Sequence, residues 1–420
     1  MERITKLISG LALGALVIAN LAAGDTAETV LIRSATIHTV TGGTLLDSSI
    51  LIRDGKIAEI GPEVNGPDDA EVIDASGKVI TPGLIDSHSH LGLGPSGGTT
   101  EDNEGSDPST PQLRIIDSIH PTGMAPHENS FRDSVAEGVT TIIARPGSGN
   151  VIGGQSAALK LSGGTVDEMV IKFPADMKMA MGKKGYGAKG QLPVTRMGVA
   201  YVVRKAMVDA MEYRDSLERY ERKKESDPDA VPPKRDLKNE AMLKVLNREI
   251  PVHIHCSRID DILTAVRLAD EFNFFRLSLG HGTEAWKVAD LLARKGVVVV
   301  VGPAMIVYDE DNNLVNLAKV LDDAGVEINI MTDADVVQQE FLRYQAATAV
   351  RYGLDPEKAL AAITINPARL VGAEDRIGSL EPGKDADLVI FDGDPFDIQS
   401  SVSRVFIDGK TVYEKEQGDK

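Results

Sequence analysis

The apolar positions change texture along the chain. Residues 29–32, 35–40, 49–53 and 56–60 form short strand-like runs broken by turn residues, and Asp54-Gly55 between the last two predicts a two-residue hairpin. The same texture returns near the other end, at 386–391, 404–407 and 411–413, punctuated by Asp392-Gly393-Asp394-Pro395 and Asp408-Gly409. Two all-β pieces at opposite ends predict one small composite β-sandwich, built from 25–80 and 377–420, that brings the termini together.

Between them, over 81–376, apolar strands alternate with amphipathic helices. Strands are expected at 84–91, 139–144, 157–161, 168–173, 250–256, 275–280, 297–301 and 327–331. Helices are expected at 128–138, 260–272, 284–295, 312–324 and 336–352. About eight such repeats in roughly 290 residues match the size of a (β/α)8 TIM barrel. The expected class is therefore α/β. A doubly wound open sheet is the competing architecture, but no glycine-rich dinucleotide or phosphate-loop pattern follows an early strand. The densely charged 214–240 reads as a solvated helical hairpin, with a partner-binding arm as the alternative. Residues 1–24, with Arg3, Lys6, an apolar run and then Ala22-Ala23-Gly24, read as a signal peptide, so a periplasmic or secreted protein is expected. An uncleaved anchor is the alternative.

Composition narrows the functions. A chain 42% hydrophobic can bury a large core, and 63 acidic against 45 basic residues give a net charge of −18. That field repels nucleic acid. The single cysteine, Cys256, rules out an internal disulfide framework and any cysteine zinc finger. A small-molecule substrate is expected, with no nucleic-acid partner and no stable membrane association once the leader is removed. A homo-oligomer stays open.

Chemistry concentrates in the histidines. Among the eight histidines, two pairs have the form H-x-H, His88/His90 and His253/His255, and residues two apart on a strand share a face. His88 and His90 follow an apolar strand. His255, His281 and Asp333 each stand at the end of another. In a closed parallel barrel such ends converge, so four imidazoles and a carboxylate predict a divalent-metal site there. The glycine-rich segment from Gly147 to Gln155 lies near the same ends, with Gln155, Arg145 and Arg258 as candidate substrate contacts. The two arginines would clamp an acidic substrate.

Thr81-Pro82-Gly83-Leu84-Ile85-Asp86-Ser87-His88-Ser89-His90 resembles the first-strand motif of the amidohydrolase superfamily. Thr364-Ile365-Asn366-Pro367-Ala368 and Gly378-Ser379-Leu380-Glu381-Pro382-Gly383-Lys384-Asp385-Ala386-Asp387-Leu388-Val389 resemble later motifs of the same superfamily, and the imidazolonepropionase-like and prolidase-like members are the most similar. The resemblance implies a metal-dependent hydrolase of a C–N bond in a cyclic amide, amidine, amino-acyl or N-acyl substrate. It implies one or two divalent ions, zinc first, with His88, His90, His255, His281 and Asp333 as ligands. Asp333 would shuttle the proton, and His281 would help polarise the carbonyl under attack. Members with two metals bridge them through a lysine carrying CO2, a role that Lys172 would fill. Three departures stand out: Phe173 where some relatives carry an acid, Ser257 where a second histidine is common, and Ala334-Asp335 in place of His-Pro. They leave a second reading, a non-catalytic or weakly active paralogue that binds a ligand.

Overall fold

The computed structural model describes residues 29–93, 101–121, 131–182, 190, 192–334 and 336–416; the expected leader at 1–24 lies outside the described residues. Strands from both ends of the chain share one eight-stranded sheet. Its order is Lys410–Glu414, Val402–Ile407, Leu388–Phe391, Val79–Pro82, Thr29–His38, Thr44–Arg53 and Lys56–Gly61, with Glu71–Asp74 also paired to Thr29–His38. Alternation decides the buried face: Ile32, Ile37, Ile50, Ile52, Ile80, Leu388 and Phe406 pack together beneath it. The Asp54-Gly55 turn has φ of 53° and 74°, the left-handed pair that a tight hairpin requires. Its tip meets the second Asp-Gly turn so closely that a Cβ on Gly55 would sit 2.8 Å from the Asp408 carbonyl oxygen.

The remainder is α/β. A run of five strands, Met177–Ala180, Val252–Cys256, Leu277–His281, Val298–Val301 and Ile328–Ile330, is parallel throughout, with Ile152–Gln155 added antiparallel at its edge. A second sheet has the order Val170–Lys172, Ala157–Lys160, Val139–Ala144, Leu84–Ser89. Val139–Ala144, Val298–Val301 and Ile328–Ile330 are buried at every position, because both faces of the sheets they lie in are covered. The sheets join where Ser89 bridges Ala334 and the Ser87 hydroxyl donates to the Ile330 carbonyl at 2.9 Å. At another join, the Ser156 N–H donates to Asp176 O at 3.0 Å.

One expectation needs correction. Residues 168–173 are not one strand: Thr165 and Glu168 form a reciprocal capping box that starts the single-turn helix Val166–Met169, and only Val170–Lys172 is extended. The inner strand is Met177–Ala180, whose lysine and single terminal alanine carry little strand signal. The expected helical hairpin at 214–240 is present: the end of the 29-residue helix Arg196–Lys224 packs against the start of Leu237–Leu246, and the Tyr213 hydroxyl donates to Glu240 Oε1 at 3.4 Å.

Candidate metal centre

The strand Leu84–Ser89 is buried at every position, and His88 and His90 lie two residues apart at its carboxyl end. The His90 Nδ1–H donates to the Arg145 carbonyl at 2.8 Å, so its Nε2 carries a bare lone pair. His281 is held the same way, Nδ1 to the Gly302 carbonyl at 2.9 Å, and its buried Nε2 has no hydrogen-bond partner. His88 Nε2 lies 3.3 Å from His90 Nε2; Asp333 Oδ1 is 3.5 Å from the first and 3.4 Å from the second. Asp333 Oδ2 is 3.7 Å from His281 Nε2, and the His255 ring centre is 4.3 Å from that of His281.

Backbone strain helps to assemble the group. His281 and Asp333 have φ of 67° and 54°, a left-handed conformation costing on the order of 1–3 kcal/mol for such residues. His281 pairs in register with Cys256, which packs into the core, and regular alternation would send the histidine the same way. The positive φ breaks that alternation.

The donor chemistry fits a cation. His88 titrates well below the ordinary imidazole range, first because it is buried and then because Lys178 and His253 lie close. His281 is lowered too, chiefly by burial. Burial alone would raise Asp333, but the His90 hydrogen bond and the charges of His281 and His90 hold it at about 2. The ring nitrogens of His88, His90 and His281 and the Asp333 carboxylate thus converge on one point, a donor set that suits a divalent cation. His88, His90 and Asp333 could hold it: their donor atoms all lie within 4.8 Å of one another. With bonds of roughly 2.0–2.1 Å at tetrahedral angles, ligand atoms stand roughly 3.3–3.4 Å apart, as these do.

Several buried side chains support the group. Asp86 Oδ1 accepts the His88 N–H at 2.9 Å; Oδ2 accepts from the Thr332 hydroxyl at 2.5 Å, the Thr332 N–H at 3.1 Å and the Gln339 amide at 2.6 Å. Burial pushes Asp86 up to about 6 despite these donors.

The structure gathers five of the nine expected residues, His88, His90, His255, His281 and Asp333, and not the other four. Lys172 sits half-buried on the edge strand, and a different lysine reaches the histidines. Lys178, fully buried on Met177–Ala180, lowers His88, His253 and His281 by its charge, and its ammonium donates to Pro146 O at 3.1 Å and Ser148 Oγ at 3.2 Å. Arg145 is no substrate clamp: it is buried, with both Nε and Nη2 on Asp176 Oδ2, at 3.0 and 2.5 Å. Gln155 is buried with its amide on Pro111 O at 3.2 Å. Arg258 is exposed and pairs with Asp260 at 3.0 Å. Sequence reasoning missed Lys178, Asp86 and His253 as site residues. Asp86 stood inside the first motif, and His253 lay on the same face as His255. Cys256 is buried and its thiol is pushed far up by desolvation, so it is inert.

Residues 79–412 match the profile of the amidohydrolase family. The chain belongs to that family. An amidohydrolase from Thermotoga maritima MSB8 is 39% identical in sequence and superposes with a TM-score of 0.84, covering 92% of this chain and 100% of that one. The amidohydrolase tasK of Hapsidospora irregularis is 30% identical over 395 residues, which are 87% of this chain but 40% of that much longer relative. An imidazolonepropionase of Thermoplasma volcanium is 25% identical over 88% of this chain and 91% of its own length. This amidohydrolase is accordingly a hydrolase acting on C–N bonds, from a metal-dependent family that acts on small molecules.

Beside the centre lies a cavity of about 210 Å³ lined by Glu101, Asp102, Glu104, Leu113, Arg114 and Asp117, among others. Asp102 Oδ2 approaches His90 Nδ1 at 3.7 Å, so the cavity adjoins the ligands. Arg114 is occupied by Asp117 at 2.6 Å.

Proposed function

We propose that this amidohydrolase is an exported zinc enzyme that cleaves the amide bond of a small amino-acyl substrate with a neutral or positively charged side. The converging Nε2 lone pairs of His88, His90 and His281 around the Asp333 carboxylate carry the reading. We infer further that the two sheets, through their parallel strands, close into a (β/α)8 barrel, supported by the Ser89–Ala334 bridge between them.

His88, His90 and Asp333 would hold one ion, and His255 and His281 a second. Bound zinc would polarise the scissile carbonyl and make water nucleophilic near neutral pH. Asp333, ionised at neutral pH, accepts the water proton and delivers it to the leaving nitrogen. His281 serves as a ligand rather than as a donor to the carbonyl, since its one proton is spent on Gly302. Lys178 would replace Lys172 as the candidate carboxylated lysine: its ammonium would first give up a proton, the free amine would then add to the carbon of CO2, and loss of a second proton would leave a carbamate anion in place of a cation that would repel the ions. Glu101, Asp102 and Glu104 outnumber free positive charge in the cavity, which favours an amine-bearing substrate over an acidic one.

Elemental analysis with a substrate screen tests this. We expect one or two zinc ions per chain and a higher kcat/KM on amino-acyl amides than on N-acyl dicarboxylates. A metal-free active enzyme, or a preference for the dicarboxylates, would refute it.

A further inference from the structure

We propose that His253, backed by Ser278, is a positioning residue that sets the tautomer and aim of His88; the proposal rests on the metal-centre reading above. The ligand imidazoles His90 and His281 each give their Nδ1–H to a backbone carbonyl. His88 instead faces a side chain, with its Nδ1 3.1 Å from His253 Nε2. Beyond it, His253 Nδ1 lies 2.8 Å from Ser278 Oγ. All three residues are at most 1% exposed, so no bulk water competes for these bonds.

The proton bookkeeping follows from the chemistry of imidazole. For His88 Nε2 to offer a lone pair to an ion, its one proton must sit on Nδ1 and point at His253 Nε2. His253 Nε2 must then accept, which puts its own proton on Nδ1, pointing at Ser278 Oγ, and a hydroxyl can take that accepting role. Reversing the relay would put a proton on His88 Nε2, against His90 and Asp333, and abolish ligation.

Space around the relay is reserved for it. Gly280, in register with His255 on the neighbouring strand, has no side chain, and a Cβ there would lie 2.8 Å from His253 Nε2. Any larger residue at 280 would push His253 off His88. That is a close-approach glycine, needed for space and not for its backbone angle.

Zn²⁺ affinity by chelator competition and the visible spectrum of the Co²⁺-loaded protein test the proposal, each on protein checked for a native melting transition. His253→Leu is expected to weaken Zn²⁺ binding by roughly 10–100-fold and to change the Co²⁺ bands. Gly280→Ala should do likewise while keeping every imidazole. His253→Gln, whose amide oxygen can accept from His88 Nδ1, should recover part of the affinity, and Ser278→Ala should cost less than His253→Leu. In a His88→Ala background, His253→Leu should change affinity by less than about twofold, because the residue acts through His88. Unchanged affinity in folded His253→Leu, or an equal loss with and without His88, overturns the positioning role while leaving the metal centre intact. Zn²⁺ binding that is absent in the wild type or indifferent to His88→Ala overturns both.

Discussion

The Thr332 hydroxyl donates to Asp86 Oδ2 at 2.5 Å, and this one bond ties the strand that carries His88 to the segment that carries Asp333. With the Thr332 N–H and Gln339 amide on the same oxygen, and the His88 N–H on the other, four donors converge on one carboxylate. Asp86→Asn keeps the shape but points an NH2 at donors. We expect a loss of about 3 kcal/mol in urea unfolding, together with weaker Zn²⁺ binding. Full stability in this variant would show that the four bonds are dispensable.

The two lysines separate cleanly. Lys172→Ala should leave turnover within about twofold, as expected of a half-buried edge position. Lys178→Ala should lower bound metal per chain, read by elemental analysis, and reduce kcat by roughly 100-fold or more. The reverse pattern would restore the bridging role to Lys172.

Arg145 is a structural cation. Removing one partner of a buried ion pair strands the other charge, at a cost of about 3–5 kcal/mol. Arg145→Met should therefore unfold at much lower urea concentration, because Asp176 loses its counter-charge, while KM of the folded fraction stays near the wild-type value. A raised KM at unchanged stability would make it a substrate contact after all.

Lys160 anchors a cluster of ion pairs outside the centre. Its ammonium meets Asp385 at 2.8 Å, Asp387 at 2.9 Å and Asp408 at 2.6 Å, linking the strand Ala157–Lys160 to the sheet built from both ends of the chain. Burial alone would raise Asp385, but the bonds from Lys160 and Lys56 and the nearby charges hold it at about 2. A carboxyl depressed in the folded state stabilises above its unfolded value and loses that contribution as pH falls, here between about pH 4 and 2, by about 2 kcal/mol. Asp387 is raised by burial, so its contribution has the opposite sign and offsets part of the loss. Unfolding free energy of the wild type should fall steeply over that window and that of Asp385→Asn more gently. Parallel slopes would remove Asp385 as the cause.

Much of this was written in local pattern. The Asp54-Gly55 and Asp408-Gly409 turns were legible because only a few residue types accept left-handed backbone, and the parallel strands because double-sided burial makes apolar runs. His88, His90, His255, His281 and Asp333 were legible as a set because each ends such a run. Lys172 fell on an edge strand because a capping box at Thr165 and Glu168 turned part of the expected strand into a helical turn, and the inner strand is Met177–Ala180.

Sequence by itself determined the class of fold and the ligand types, since periodicity and residue chemistry are local properties. Only the tertiary structure decided which side chains surround the ligands. Arg145 is consumed by Asp176, while Lys178 and His253 come to lie against His88, because contacts between residues far apart in the chain exist only once the strands have been brought side by side.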